Sequence, residues 1–233
     1  MKRFLKLIVG FLLFGILALI FLGWLASEEL PKGKTGPEAD ALAHKMLNAL
    51  NYQAYKNTRF LEWSYQGGAN QYVWDKSKGL VTVKWKGIAV NLNLNHPENS
   101  LVSQNNETVS GDIKPELIEK ALKNFNNDSF WLVAPYKVFD QGTERTLINL
   151  EDGNKALLVT YNSGGTTPGD SYLWVLNENG FPISYKMWVS IIPIGGLEAS
   201  WDDWIISKSG AYLPKSHKIG PITLSMGNVE GYN

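Results

Sequence analysis

The chain has 233 residues, in which 22 Lys and Arg balance 22 Asp and Glu. This charge balance argues against a nucleic-acid binder, which normally carries a basic excess clustered on one face. The absence of cysteine excludes disulfides, thiolate metal sites, a cysteine nucleophile and lipid attachment through cysteine. Nine Trp, ten Tyr and nine Phe exceed what an ordinary core needs, and such side chains favour strands and line apolar binding cavities.

Residues 1–26 have the composition of a membrane anchor. Three basic residues precede an uncharged run from Leu7 to Ala26, and two glutamates follow the run. At about 1.5 Å per residue, a helix of this length spans the roughly 30 Å hydrocarbon core of a bilayer. The basic flank predicts a single-pass inner (cytoplasmic) membrane protein with its N-terminus in the cytoplasm and its domain exported. The alternative is a cleaved signal peptide, although Trp24 is bulky for a position three residues before the cut.

The residues that follow predict a tether and then a helix. Residues 27–36 (SEELPKGKTG) are polar and contain Gly and Pro, which is typical of a short tether. Pro37 suits the first position of a helix, and apolar residues recur at helical spacing up to Leu50. Because no linker interrupts the rest of the chain, residues 37–233 are predicted to form one domain.

Strand patterns dominate the remainder. Val81, Val83 and Trp85 alternate with polar residues, which is typical of a half-buried antiparallel strand, and four strands fit between residues 58 and 95. The polar segment 96–112 is predicted to be a loop, and a second helix is predicted from Pro115 to about residues 126–128. Seven more strands are predicted at 143–150, 155–162, 171–177, 182–190, 197–206, 211–219 and 221–228.

These elements predict a mainly β, α+β fold. We expect a large curved antiparallel sheet of about 11 strands, forming an incomplete barrel, with two helices against its concave face. The segment Tyr172–Leu176 carries apolar residues on both faces, so part of the sheet should be covered on both sides.

Three stretches resemble LolA-like periplasmic proteins of the Bacteroidetes: FNNDSFWLVAPYKVFDQGT (125–143), LVTYNSGGTTPGDSYLWV (158–175) and KMWVSIIPIGG (186–196). The helix and strand order over residues 37–228 is also similar to the half-barrel of the lipoprotein carriers LolA and LolB. The resemblance implies a site for acyl chains between the sheet and its helices. The chain departs from the classical carriers in its anchor and in having no counterpart of their buried arginine. These departures favour binding of a hydrophobic molecule near the inner membrane over lipoprotein shuttling.

Candidate ligand contacts are mostly aromatic residues of the predicted strands. Core packing explains most of them, and three or four facing unfilled space would line a cavity. The candidates are Trp63, Trp74, Trp85, Trp131, Tyr172, Trp174 and Trp188. Lys137 and Asp140 would orient a polar head group or form an ion pair that holds a loop. Asp170 would hydrogen-bond within a Gly-rich hairpin connection or lie in a loop at the mouth of the cavity.

No motif indicates catalysis, a metal or a cofactor. Nucleophile-elbow, Ser-x-x-Lys and Walker motifs are absent from the sequence, and the three histidines lack metal-ligand spacing. The sequence therefore favours a non-catalytic binding module for a lipid or acylated molecule, without indicating a protein partner. One alternative is an envelope scaffold with a fully packed interior and no small ligand. The other is an unrecognised hydrolase, which would need titratable groups converging in one cleft.

Overall fold

A computed structural model describes residues 26–233, together with Gly15 and Gly23. The membrane anchor predicted for residues 1–26 therefore lies almost wholly outside the described residues. Within the described part of the chain, no helix is long and apolar enough to cross a membrane. The described chain is mainly β, with three α-helices and large antiparallel sheets that are not closed.

The helices and strands are named here in chain order. The α-helices are α1 Pro37–Ala49, α2 Tyr52–Asn57 and α3 Ile113–Val133, and 3-10 turns lie at Pro97–Asn99 and Ala134–Tyr136. The strands are β1 Lys34–Thr35, β2 Phe60–Tyr65, β3 Asn70–Asp75, β4 Leu80–Trp85, β5 Ile88–Asn93, β6 Leu101–Gln104, β7 Glu107–Thr108, β8 Thr143–Asn149, β9 Lys155–Tyr161, β10 Ser171–Leu176, β11 Pro182–Trp188, β12 Leu197–Ser200, β13 Asp203–Ile206, β14 Tyr212–Ile219, β15 Ile222–Ser225 and β16 Glu230–Tyr232.

The first sheet has seven strands in the order β16-β2-β3-β4-β5-β6-β7. The predicted alternation on β4 is confirmed, since Val81, Val83 and Trp85 are buried while the residues between them are not. Segment 96–112 was predicted as a loop, but it contains β6 and β7. Strand β6 was missed because Val102 is its one buried residue, so its side chains show no apolar alternation. The strand is held instead by backbone pairing with β5. Asn105 and Asn106 form the turn between β6 and β7 with positive φ angles, a conformation that asparagine tolerates well.

The second sheet has six strands in the order β1-β8-β9-β10-β11-β12, and the third has three in the order β13-β14-β15. One continuous strand was predicted over residues 197–206, but the chain breaks between β12 and β13 and passes from one sheet to the next. The sheets remain joined, because Lys218 N donates to Ser200 Oγ at 3.0 Å and Ser64 N donates to the Met226 carbonyl at 3.0 Å. Three linked sheets thus stand where a single sheet of 11 strands was predicted.

The helices differ from prediction in number and length. Helix α1 begins at Pro37 as predicted. Helix α2 was not predicted, and it is a short helix that follows Asn51 in the left-handed conformation and buries Tyr55. Helix α3 continues past the expected end near residue 128, because Ser129, Leu132 and Val133 extend its buried face. Tertiary burial therefore outweighs the weak helix propensity of the Asn-rich segment.

The main core lies between the helices and one face of the sheets. Helix α1 packs against β8 and β9, and α3 packs against β5, β6 and β14. On β9, Leu157 and Val159 face this core, whereas Ala156 and Leu158 belong to a second buried cluster. Because alternate residues of a strand point to opposite faces, the second cluster lies on the other side of the six-stranded sheet. Apolar burial on both faces was predicted for β10 and is confirmed, since Leu173 joins the second cluster.

The segment predicted as a tether is bound along the six-stranded sheet, and we call residues 27–35 the strap. At one end, Glu28 N donates to the Gly195 carbonyl at 2.9 Å, and Lys186 Nζ lies 2.6 Å from Glu28 Oε1. At the other end, the strap enters the sheet as β1 beside β8. A Cβ atom at Gly33 would lie 2.1 Å from the Leu147 carbonyl oxygen, so glycine is required for this close approach.

We predict that Gly33→Ala displaces the strap while leaving the rest of the domain folded. The new methyl group collides with backbone, and overpacking of this kind typically costs about 1–3 kcal/mol. Hydrogen exchange of the full chain in detergent micelles should show faster exchange of strap amides, with the seven-stranded sheet unchanged. Thr35→Ala, at an exposed position of the strap, is the matched control. Unchanged exchange in Gly33→Ala would show that the strap does not depend on this close approach.

Candidate functional site

An apolar groove runs along the N-terminal half of α3. It encloses about 400 Å³ between this helix and the 3-10 turn Pro97–Asn99, a volume within the usual range for small-molecule sites. Its lining residues are Pro97, Glu98, Lys114, Pro115, Ile118, Glu119 and Leu122. Ile118 belongs to the buried core and Leu122 packs against it, so the floor of the groove adjoins the interior.

Aromatic side chains of the seven-stranded sheet lie next to the groove beneath α3. Phe125 follows Leu122 by three residues, so the two side chains share one face of the helix. The Phe125 ring lies 5.2 Å from Trp74 and 6.2 Å from Trp63, measured between ring centroids. Trp63 stacks on Tyr72 at 4.6 Å. These aromatic residues lie between α3 and the sheet, and Phe125 is one helical turn beyond Leu122, the last residue that lines the groove.

Several donors in this interior have no hydrogen-bond partner among the described residues. They are the indole nitrogens of Trp63, Trp74, Trp174 and Trp201 and the hydroxyl of Tyr161. A buried donor left without an acceptor typically costs about 1–3 kcal/mol. Of these donors, Trp63 and Trp74 lie beside Phe125 of α3, whereas Trp174 and Trp201 lie beside each other elsewhere in the core.

Hydrogen bonds of the Asp128 carboxylate connect the C-terminal half of α3 to β3. Its Oδ2 accepts hydrogen bonds from Tyr72 Oη at 2.5 Å and from Asn70 Nδ2 at 2.8 Å. Asn127 Nδ2 donates to the other carboxylate oxygen at 2.8 Å. Burial raises the pKa of Asp128, and the three hydrogen bonds act in the opposite direction. Tyr65 lies in the same polar group, and burial together with the Asp128 charge raises its pKa.

His217 of β14 connects the same part of α3 to the end of β12. Its Nδ1 lies 2.8 Å from the Ser200 carbonyl oxygen, and its Nε2 lies 2.8 Å from the Trp131 carbonyl oxygen. A neutral imidazole has one N–H, so only one of these carbonyls can accept from it, whereas imidazolium would donate to both. Burial lowers the pKa of His217, and the two carbonyls and the charges of Asp202 and Asp203 oppose that effect.

The aromatic ligand contacts predicted from the sequence occupy several separate places. Trp63, Trp85, Tyr172 and Trp174 are buried in the main core, and Trp74 and Trp131 pack against it. Trp63 and Trp74 meet at Phe125, whereas Tyr172 and Trp174 meet at Tyr185, with centroid distances of 5.2 and 5.1 Å. Trp188 borders the second cluster on the other face of the sheet, where its Nε1 donates to the Glu28 carbonyl at 2.8 Å.

The predicted polar contacts bind other protein groups. Lys137 and Asp140 form an exposed ion pair with each other, the arrangement expected of residues that hold a loop. Asp170 is buried, and it accepts from Thr167 Oγ1 at 2.5 Å and from Ser190 N at 2.9 Å. It thereby connects its own hairpin loop to the loop between β11 and β12.

Sequence reasoning missed Asp128, His217 and the residues of the groove. Asp128 lies inside the stretch that resembles LolA-like proteins, but its partners Asn70 and Tyr72 are more than fifty residues away. A carboxylate at the end of a predicted helix is ordinarily solvated, so no local signal marks it as buried. Two prolines line the groove: Pro97 lies in a segment predicted as a loop, and Pro115 was predicted to open a helix. Neither indicates that the two segments meet.

Among the described residues, no three His, Asp or Glu side chains are grouped so that they could hold a metal ion. Comparison of the chain with protein-family models and with curated proteins finds no match.

We predict that Asp128→Asn changes how stability depends on pH. Burial raises the pKa of Asp128 in the folded chain, so folding favours its protonated form. Wild type should therefore gain stability relative to the variant as pH falls from 7 toward the unfolded pKa of about 3.9. The slope should not exceed about 1.4 kcal/mol per pH unit. Urea unfolding of both chains across this range measures the difference, and parallel stability curves would contradict a raised pKa of Asp128 in the folded chain.

We predict the opposite trend for His217. Burial lowers the pKa of His217 in the folded chain, so the unfolded chain takes up the proton first. Wild type should lose stability relative to His217→Gln as pH falls below the unfolded value of about 6.5, with a slope of up to about 1.4 kcal/mol per pH unit. Urea unfolding between pH 8 and 5 would reveal this. A gain of stability over that range would instead identify the folded ring as imidazolium hydrogen-bonded to both carbonyls.

Proposed function

We propose that this chain is a membrane-anchored, extracytoplasmic module that binds an acyl chain or another elongated apolar molecule without catalysing a reaction. The observation that carries the proposal is the groove of about 400 Å³ between α3 and the turn Pro97–Asn99. Apolar side chains form its floor, while charged side chains, including Lys114, stand among its lining residues.

The order of the elements supports a LolA-like assignment. A helix precedes a group of strands, a second long helix follows, and further strands complete unclosed antiparallel sheets. Helices α1 and α3 cover the same aromatic-rich core. The half-barrel carriers that the sequence resembles hold acyl chains between a curved sheet and its helices, and here the groove lies beside α3, between that helix and the turn Pro97–Asn99.

Binding would be driven by burial of apolar surface at the groove. Each Å² removed from water contributes about 25 cal/mol, so a chain of a few methylene groups lying over Ile118 and Leu122 would gain several kcal/mol. Lys114 would attract the carboxylate or phosphate end of the molecule. The unpartnered indole donors of Trp63 and Trp74 would favour a ligand with an ester or carbonyl oxygen that reaches beneath α3.

The N-terminal sequence supports the location. A basic flank, an uncharged run from Leu7 to Ala26 and two following glutamates are the pattern of a signal anchor in the inner membrane. The domain would then lie outside the cytoplasm, close to the source of lipids. A tethered domain of this kind would capture or present an apolar molecule at the membrane without shuttling it across the envelope.

An envelope scaffold is the second candidate, and the packing of the core favours it. Trp63, Trp85 and Trp174, predicted from the sequence as ligand contacts, are almost fully buried against protein neighbours. In a scaffold the interior would serve stability alone, and α3 would never separate from the sheet. The two candidates differ in whether the groove takes up an apolar molecule.

We predict that the full chain, purified in detergent and released in the mass spectrometer, carries an acyl-chain molecule. Leu122→Gln should weaken its uptake by about tenfold or more, because burying leucine is worth roughly 1.5–3 kcal/mol. Leu80→Gln, at an exposed position on the opposite face of β4, is the matched control. Native mass spectrometry with lipid extraction measures both variants.

A clean apo mass in repeated preparations, with no uptake of added lipid, would reject the binding module in favour of the scaffold. Equal uptake by the two variants would show that lipid binds elsewhere, for example at the hydrophobic N-terminal segment. Thermal unfolding of Leu122→Gln close to that of wild type would exclude misfolding as the cause of a loss.

A further inference from the structure

The loop between β11 and β12 exposes apolar side chains at its tip. Residues 189–196 read VSIIPIGG, and the Ile191 side chain is 69% exposed. Loops at the surface of a protein are normally polar, because exposed apolar side chains gain nothing from water. Ile191 and Pro193 are exposed and Ile194 is half-buried, whereas Val189 and Ile192 pack against the main core. The tip of the loop is therefore the part that could meet an apolar partner.

The loop is held in a defined conformation. Asp170, which is buried, accepts a hydrogen bond from Ser190 N at 2.9 Å. Ile192 N donates to the Val189 carbonyl at 3.1 Å, and Gly196 N donates to the Met187 carbonyl at 3.0 Å. These bonds present Ile191 outward from the end of the sheet.

The same loop is fastened to the residues that follow the apolar N-terminal run. Gly195 N donates to Ser27 Oγ at 3.0 Å, and Glu28 N donates to the Gly195 carbonyl at 2.9 Å. Within the apolar run itself, a Cβ atom at Gly23 would lie 3.3 Å from Ile194 Cδ1. The loop thus lies beside the end of the segment that would leave the membrane.

We infer that the tip of this loop, formed by Ile191, Pro193 and Ile194, makes a second membrane contact in the outer lipid interface beside the N-terminal anchor. The inference rests on the anchor that forms part of the proposed function. Gly23 belongs to the uncharged run of the sequence, and Ile194 lies beside it. The loop would therefore lie at the outer interface, where interfacial segments bury their apolar side chains about 5–10 Å deep.

Trp188 and the strap complete this contact. Trp188 stands at the base of the loop and donates to the Glu28 carbonyl, and tryptophan is enriched where protein meets the membrane interface. The strap continues from Glu28 along the six-stranded sheet to β8. The domain would therefore sit on the bilayer in one orientation, with the strap acting as a rigid connection.

The natural lack of cysteine permits a direct test on the full chain. Ile191→Cys and Ile206→Cys are each labelled with an environment-sensitive fluorophore and reconstituted into phosphatidylcholine and phosphatidylglycerol vesicles. Ile206 is 65% exposed at the end of β13, in the strand that leads away from the loop, so it is the matched control. Doxyl-labelled lipid should quench the label at residue 191 several-fold more strongly than the label at 206, and aqueous iodide should show the reverse.

Equal iodide quenching at both positions, with no quenching by doxyl lipid, would overturn the inference while leaving the anchor intact. A label at 191 that neither reagent reaches would also overturn it, because the loop would then be packed against protein. Failure of the chain to float with the vesicles would reject the anchor and the loop contact together. Absence of a bound acyl molecule in mass spectrometry would reject ligand binding alone, so the two proposals fail separately.

Discussion

The fold depends on covering the aromatic face of sheets that do not close. Large rings such as Tyr72, Trp174 and Trp201 are almost fully buried on that face, and α3 is the longest described helix that lies over it. Apolar attraction is strong but has no direction, so it alone would let a helix slide across such a surface. Asp128 and His217 supply the direction, because each makes hydrogen bonds that exist in one position of α3.

The hydrogen bonds of Asp128 and His217 hold the C-terminal half of α3, whereas its N-terminal half borders the groove. Asp128 and the Trp131 carbonyl hold the C-terminal half to β3 and β14, whereas the N-terminal half carries the groove. A ligand that pressed between the helix and the sheet would therefore move the end near Pro115 most easily. Holding one end keeps the helix in a constant position on the sheet, which would reduce the ordering cost of the proposed binding.

Local sequence patterns predicted what depends on neighbours in the chain, and they failed where distant partners decide. The alternation of β4 and the start of α1 at Pro37 follow from periodicity and backbone preference, and both are confirmed. Strand β6 was missed because backbone pairing with β5 needs no side-chain pattern. Asp128 and His217 were missed because their burial arises from contacts with residues far along the chain, which composition and spacing do not reveal.

The strap shows how a polar sequence can be ordered without an apolar core of its own. Its composition is typical of a flexible tether, yet a glycine lets it approach the Leu147 carbonyl and a glutamate pairs with Lys186. Ordering each residue costs about 1–2 kcal/mol of backbone entropy. Fixing all the residues of the strap therefore requires a compensating benefit. One such benefit is orientation. A flexible tether would let the groove face any direction relative to the N-terminal segment, whereas a bound strap holds residues 27–35 in one position on the six-stranded sheet, as the proposed anchoring would require.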